Sequence, residues 1–308
     1  MHPLKRPEVV AAIELAVTTH LGRPWSTLDF CDLDDRASHP CGIHSGDGFD
    51  VFVKFSSDDN GAVQFTLECS GLRYLKEWGA PTANTVGKGV LSTTHGTLLL
   101  LEGLTERAPK ARTTFDWRSI GTVLGELHTV TADTFGLEDL DGYFGPIAQD
   151  NRPVATNQWA DFLRERRIEP FLQEAIRSGQ LPNEFVHRIA TLADRLTMLV
   201  GPEPKPTLLH GDAQQNNYVS TNTGAVIVDA SPFYGHPEND LAMIDVFEPV
   251  PNDVFDSYRD IQPIDHGFND RRELWRIPVY LAIIAVDGGN PFGRAFINRL
   301  DEALKAYS

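Results

Sequence analysis

One stretch constrains this chain more than any other: Leu209-His210-Gly211-Asp212-Ala213-Gln214-Gln215-Asn216-Asn217, followed by an apolar run, Ala225-Val226-Ile227-Val228, that ends on Asp229. A carboxylate, a carboxamide and a second carboxylate delivered at a strand end are hard oxygen donors, the ligands that Mg²⁺ prefers. Short β-like runs at residues 207–209, 218–220 and 225–228 imply a hairpin between Asn217 and Asp229. A plain loop with capping Asp and Asn residues is the competing reading, and the hairpin context counts against it.

The separation of Asp212 and Asn217 matches the catalytic loop of protein kinases, where His-Arg-Asp is followed by four residues and Asn. In that loop the aspartate accepts the hydroxyl proton and the asparagine binds a metal. Asp212 is therefore the candidate catalytic carboxylate, with Asn217 and Asp229 as candidate Mg²⁺ ligands. A second signal is Val51-Phe52-Val53-Lys54-Phe55. A lysine inside an apolar strand is costly unless its ammonium has a partner. Kinases use such a lysine to pair with nucleotide phosphates and with a glutamate on the next helix. Here Glu68 lies on the following predicted helix. Phe52 shares a strand face with Lys54 and is a candidate ceiling over the adenine of ATP. An edge-strand lysine that snorkels to solvent is the alternative. No glycine-rich phosphate loop precedes Lys54. The turn Arg36-Ala37-Ser38-His39-Pro40, with the Ser38 hydroxyl, either replaces it or is a plain turn. Cys41 beside it reads as a buried strand cysteine rather than a redox-sensitive thiol. His128, at a helix end, either hydrogen-bonds to the catalytic loop or caps the helix, and the cap is the favoured reading.

The 308 residues are enough for two lobes. A formal net charge of −16 argues against a nucleic-acid or anionic-lipid partner, since both need a basic surface. No stretch is apolar and long enough to span a membrane, and no secretory leader opens the sequence. Cys31, Cys41 and Cys69 have no metal-site spacing. Together these features lead us to expect a soluble, cytoplasmic protein; nothing in them addresses oligomeric state.

Apolar periodicity predicts helices over residues 7–21, 65–78, 117–129, 159–178 with a kink or split at Pro170, 185–200, 274–286 and 294–307. Strands are predicted over residues 26–34, 41–45, 50–56 and 97–101. A β-rich lobe with one inserted helix, then a mainly helical lobe, gives an α+β, protein-kinase-like bilobal fold. The expected division is residues 1–101 as a nucleotide-binding lobe, 102–106 as hinge, and 107–308 as the catalytic and substrate-binding lobe.

Further stretches carry a family resemblance. They are Val51-Phe52-Val53-Lys54, Phe65-Thr66-Leu67-Glu68, Leu208-Leu209-His210-Gly211-Asp212 and the run FYGHPENDLAMIDVF from Phe233 to Phe247. Trp159-Ala160-Asp161-Phe162 with Glu165-Arg166-Arg167 adds to them. From about Val51 onward the chain resembles the fructosamine-3-kinase (ketosamine kinase) family, within the aminoglycoside-phosphotransferase and choline-kinase group. The resemblance implies an ATP-dependent kinase that phosphorylates a hydroxyl of a sugar-amine acceptor. It implies ATP in a cleft between lobes, with adenine on the backbone of Glu102-Gly103-Leu104, Lys54 on the phosphates and Mg²⁺ on Asn217 and Asp229.

Two departures fall on the substrate side. The family's Leu-Trp-Ser-Gly between Asp and Asn is Ala213-Gln214-Gln215-Asn216 here, and its polar run after Tyr-Leu is Ala282-Ile283-Ile284-Ala285-Val286-Asp287. Gln214, Gln215, Tyr280 and Asp287 are the expected substrate contacts, and a cationic, partly apolar acceptor is the expected partner. An antibiotic-modifying phosphotransferase and a catalytically inactive kinase-fold binding protein are the alternative functions. A protein kinase is excluded because no D-F-G or A-P-E follows Asp229.

Overall fold

The computed structural model describes residues 2–34 and 39–307. It divides into two compact units, Met1–Asp116 with Asn216–Ala230, and Trp117–Gln215 with Ser231–Ser308. The class is α+β, with the antiparallel sheet early in the chain and the helices late.

The first unit opens with helix α1 (Pro7–Leu21), started by Pro7 and stopped by Gly22 at φ +66°. Strands β1 (Thr27–Asp32), β2 (Cys41–Gly46) and β3 (Phe49–Ser56) follow, then helix α2 (Gly61–Glu77), β4 (Thr85–Thr93) and β5 (Gly96–Glu102). They form one antiparallel sheet in the order β1-β2-β3-β5-β4. Because strand side chains alternate, Val51, Val53 and Phe55 join Leu98 and Leu100 against Val9, Ile13 and Val17 of α1 in a closed core. Phe52 and Lys54 point to the opposite face, in the central strand of the sheet.

The sequence misses β4 because Gly87 and Gly89 sit inside it, both with positive φ (+60° and +82°), at an irregular register between Thr85 and Val90. Glycine is required at position 89, since a Cβ there would lie 2.5 Å from Cys69 Sγ. Helix α2 begins a turn earlier than its apolar spacing predicts. Gly61 lets the helix start against Ser56, where a Cβ would approach within 2.6 Å.

Next come α3 (Thr114–Leu127), strands β6 (Gly142–Phe144) and β7 (Ile147–Gln149), and α4 (Trp159–Leu163). A π turn (Arg164–Ile168) leads into α5 (Glu169–Arg177), then α6 (Asn183–Ala193), α7 (Leu196–Leu199) and β8 (Thr207–Leu208). The hairpin β9 (Tyr218–Thr221) and β10 (Gly224–Ile227) belongs to the first unit. Strand β11 (Tyr234–Gly235) and helices α8 (Pro237–Met243), α9 (Asn252–Arg259), α10 (Phe268–Asp287) and α11 (Pro291–Ala306) complete the second. The predicted helix over 159–178 runs from Trp159 to Arg177 without leaving helical dihedrals, its middle wound as a π turn (Arg164–Ile168) just before Pro170. The predicted helix over 185–200 breaks where Arg195 leaves helical dihedrals (φ −106°, ψ 0°). Helices α8 and α9 and the β6–β7 hairpin are too short to show a period in the sequence.

The expected boundary at residues 101–107 also differs from the compact units. The hairpin β9–β10 packs with the first unit, because Ile227 forms a parallel bridge with Thr82 and its carbonyl accepts from the Ala83 N–H at 3.0 Å.

The second unit's core stacks aromatic rings: Trp159 on Phe162 and Phe162 on Phe233, each at 5.5 Å between centroids. The buried Arg167 lies 4.2 Å over Phe233 and donates to Asp150 O and Asn151 Oδ1. Burial pulls its pKa down to about 9. Helices α3 and α9 meet at Gly121, where a Cβ would stand 2.0 Å from Val254 O. Gly121→Val should therefore lower stability by about 1–3 kcal/mol through overpacking, measured as a fall in Tm. An unchanged Tm would mean that α3 and α9 separate without cost.

Candidate active site

In the first unit, a pocket is lined by Phe52, Lys54, Glu68, Leu104, Asn217 and Asp229 among others. Lys54 sits in the middle of the sheet, opposite Cys41 on β2 and Leu99 on β5. Its Nζ lies 3.0 Å from both Glu68 oxygens and 3.0 Å from Asp229 Oδ1. Burial alone would pull the Lys54 ammonium down, but the Asp229 and Glu68 carboxylates outweigh it and push its pKa up. Burial and the neighbouring Asp229 charge push Glu68 up, against the pull of Lys54. Hard oxygen donors from Asn217 and Asp229 on one pocket wall fit a divalent cation.

Hairpin register brings the two candidate ligands together. Tyr218 pairs with Ile227, and the Val228 N–H donates to Asn217 O at 3.0 Å, so Asn217 and Asp229 flank the open end of the hairpin. Asp229 has φ +55°, in the left-handed region that Asp tolerates better than most residues.

Glu102 ends β5, and its N–H donates to Asn84 O at 2.8 Å. The Gly103 N–H donates to Asp50 O at 2.7 Å, and a Cβ on Gly103 would come within 2.5 Å of Asp50 Cβ. Two of the three connector N–H groups are thus spent inside the protein. Ser38 lies outside the described residues. Cys41 is buried, its thiol donates to Leu33 O at 3.2 Å, and burial pushes its pKa up to about 11, which suits a structural cysteine.

In the second unit, the loop that carries Asp212 hangs from Asp240. The Asp240 carboxylate, fully buried, accepts from the His210 N–H at 2.7 Å and the Gly211 N–H at 3.2 Å. Gly211 has φ +83°, and a Cβ there would stand 1.8 Å from Ser231 O, so only glycine fits. The Asp212 N–H donates back to His210 Nδ1 at 3.2 Å. His128 is not a helix cap, as its sequence position suggests. It is buried, with Nε2 3.3 Å from Asp240 Oδ2 and Nδ1 2.9 Å from the Tyr258 hydroxyl.

Helix α8 begins with Pro237 and is capped by His236, whose Nδ1 accepts from the Glu238 N–H at 3.2 Å. Glu238 in turn binds Arg271 through both oxygens and accepts from Trp275 Nε1 at 2.9 Å. Asp240, Glu238 and His236 all lie in the FYGHPENDLAM run, a signal in the sequence whose individual duties only the fold reveals.

Two of the expected substrate contacts hold structure. Gln215 is buried, its Nε2 donating to Glu248 O at 3.0 Å, so it anchors the loop. Tyr280 is fully buried and donates to Glu273 Oε2 at 2.6 Å, because α10 turns that face into the core. Gln214 and Asp287 are half-buried, and Asp287 Oδ1 accepts from Asn290 Nδ2 at 2.8 Å at the end of α10.

Comparison with known proteins identifies the family. The model of the family described as "Fructosamine kinase" matches residues 11–306. A protein of Vibrio cholerae named "Probable ketoamine kinase" is 28% identical over 263 residues, 84% of each chain. One of Pasteurella multocida with the same designation is 31% identical over 231 residues, 74% of this chain and 76% of that one. A solved structure from Thermobifida fusca, classed with the fructosamine-3-kinases, superposes with TM-score 0.78 at 28% identity, covering 97% of this chain and 99% of that one. The aminoglycoside phosphotransferase APH(4)-Ia, in ternary complex with ADP and hygromycin B, shares the fold at TM-score 0.63 and 15% identity, covering 96% and 98%. Fold and relatives define a kinase-fold phosphotransferase. Within that class, the chain belongs to the fructosamine kinase family. Among the described residues, no helix is long and apolar enough to cross a membrane.

His236 makes the α8 cap sensitive to acid. Burial, then the Arg271 charge, hold its pKa down at about 3, below the ordinary value of 6.5. An unfolded chain takes up a proton in this window that the folded chain refuses, so the cap's stabilisation is full above pH 6.5 and falls as pH drops toward 3. His236→Asn keeps a capping oxygen and should flatten the slope of unfolding free energy against pH between 6.5 and 4. An equal slope in parent and variant would remove His236 from this role.

Proposed function

We propose that this protein transfers the γ-phosphoryl group of ATP to a hydroxyl of a protonated sugar amine. The observation that carries this reading is the Lys54 ammonium held between Glu68 and Asp229 in a pocket shared with Asn217. Adenine would take its backbone hydrogen bond from the Leu104 N–H, since those of Glu102 and Gly103 are spent. Phe52 and Leu101 offer apolar contact to the purine. Lys54 would meet the phosphates, with Glu68 orienting its ammonium.

Asn217 and Asp229 would hold Mg²⁺, which when bound neutralises charge on the phosphate oxygens. The acceptor oxygen would bond to the γ-phosphorus as the bond to the ADP oxygen breaks, and its proton would pass to the Asp212 carboxylate. Asp240 acts on this step only through position, by fixing the two N–H groups before Asp212. Most of the rate gain in such transfers comes from positioning and charge neutralisation. The sugar-amine class draws on the ketoamine kinase relatives, and the surplus acidic charge of the chain suits a cationic acceptor.

Asp212→Asn should lower turnover about 10²-fold or more, the scale of general-base effects, with ADP affinity unchanged. Turnover within a few-fold of the parent would overturn the assignment. Asp229→Ala should abolish the Mg²⁺-dependent part of ADP binding in a calorimetric titration. If Mg²⁺ tightens ADP binding to that variant as it does to the parent, Asp229 is not the ligand.

A further inference from the structure

We infer that Phe247 and Phe292 form an apolar subsite for the substituent on the acceptor's amine, so that the acceptor is a sugar amine bearing an arylalkyl group. The inference rests on the sugar-amine reading above and names its substrate class.

The loop that carries Asp212 is anchored at Gln215. Gln215 fastens that loop twice, its N–H donating to Ile244 O at 3.2 Å and its Nε2 to Glu248 O at 3.0 Å. The segment from Ile244 to Glu248 therefore lies directly against the loop, three residues beyond Asp212. Phe247 belongs to this segment. Its ring stacks on Phe292 with centroids 6.3 Å apart and planes 25° apart. Both rings meet Phe296 edge-on, at 6.0 and 5.1 Å.

Only Phe296 is fully used as core, at 4% exposure; Phe247 is half-buried and Phe292 is 51% exposed. A lone exposed phenylalanine needs no explanation. Two open rings stacked on a buried third, on a segment hydrogen-bonded to the loop of Asp212, do need one.

The ring pair is also held in place. The Arg299 guanidinium lies 5.0 Å over Phe296 and donates to Val246 O at 2.6 Å. The first turn of α11 sits on the backbone of Asp287, where a Cβ at Gly293 would be only 2.1 Å from the Asp287 carbonyl. A binding surface fixed before the ligand arrives loses little entropy on binding.

Aromatic faces take an aryl group by offset stacking and a nearby ammonium by cation–π attraction. Exposed Glu248 and half-buried Asp287 add negative charge to the same segments. Gln215 and Tyr280, committed to Glu248 and Glu273, have little to offer a hydroxyl-rich substituent.

The test compares kcat/KM for the N-phenethyl and N-methyl adducts of fructosamine, in the parent and in Phe292→Ala. The parent should prefer the phenethyl adduct by about tenfold, and the variant by about twofold or less, the scale of one aromatic contact. Equal use of both adducts by the parent, or a preference untouched in Phe292→Ala, overturns the inference. Binding of phenethylamine itself to the ADP-loaded protein, followed by NMR, separates the two layers of the argument. If neither adduct is phosphorylated but phenethylamine binds the parent and not Phe292→Ala, the subsite stands and the sugar-amine reading falls. If phenethylamine binds both proteins alike or neither, the subsite falls. Sedimentation closes the remaining route: a concentration-dependent dimer that Phe292→Ala dissolves would assign the rings to a second copy of the chain and overturn the inference.

Discussion

The first unit is organised around one ammonium that answers to two carboxylates. Lys54 is buried in the central strand of the sheet, and a buried cation without partners would cost several kcal/mol. Glu68 supplies one partner from α2, and Asp229 supplies the other from the end of the β9–β10 hairpin. Each carboxylate depends on backbone choices elsewhere. Glu68 is on target because α2 starts at Gly61, tight against Ser56. Asp229 is on target because the hairpin pairs Tyr218 with Ile227 and Asp229 itself accepts a left-handed backbone. One ammonium held between two carboxylates within a single pocket is the arrangement from which the proposed nucleotide site is built.

A second buried charge organises the other unit by a different rule. Asp240 is fully buried, and both its oxygens are used by the backbone of the Asp212 loop, with His128 alongside. A carboxylate that accepts from backbone N–H groups fixes main chain, which side-chain pairing does not. Helix α8 that bears it is itself fixed at both ends of its first turn, by the His236 cap and by the grip of Arg271 and Trp275 on Glu238. Half-satisfied polar networks are a liability in a core, whereas well-satisfied ones enforce one geometry. The short stretch from His236 to Asp240 thus carries a cap, an ion pair and a loop anchor within five residues.

This explains what the sequence makes legible. Asp212, Asn217, Asp229 and Lys54 stand out because each is a polar group at a fixed interval from an apolar strand, and strand context is local. Helix α1 is visible to the residue, since Pro7 and Gly22 bracket an unbroken helical period. Strand β4 is invisible because its two left-handed glycines mimic a loop, and the single period over 159–178 conceals a π turn. The duties of Asp240 and Glu238 depend on partners 29 to 112 positions away, which spacing alone does not supply.

The facing of side chains is hidden for a related reason. Gln215, Tyr280 and Asp287 stand in the sequence as polar groups near the catalytic motif or on an apolar helix, yet polarity does not say which way a side chain faces. Tyr280 is drawn inward because Glu273, two helical turns earlier, accepts its hydroxyl, and Gln215 because its Nε2 donates to the Glu248 carbonyl. Once those groups are spent on structure, selectivity toward the acceptor has to come from surfaces left open. The partly open surface next to the Asp212 loop includes the Phe247 ring beside exposed Glu248. An enzyme built this way discriminates by stacking and charge more than by counting hydroxyls, and the discrimination available from one apolar contact is modest, on the order of tenfold to a hundredfold. On the proposed reading, the buried Lys54 and Asp240 hold the phosphoryl-transfer side in place, while acceptor choice would rest on partly exposed rings that can be exchanged without unfolding the protein.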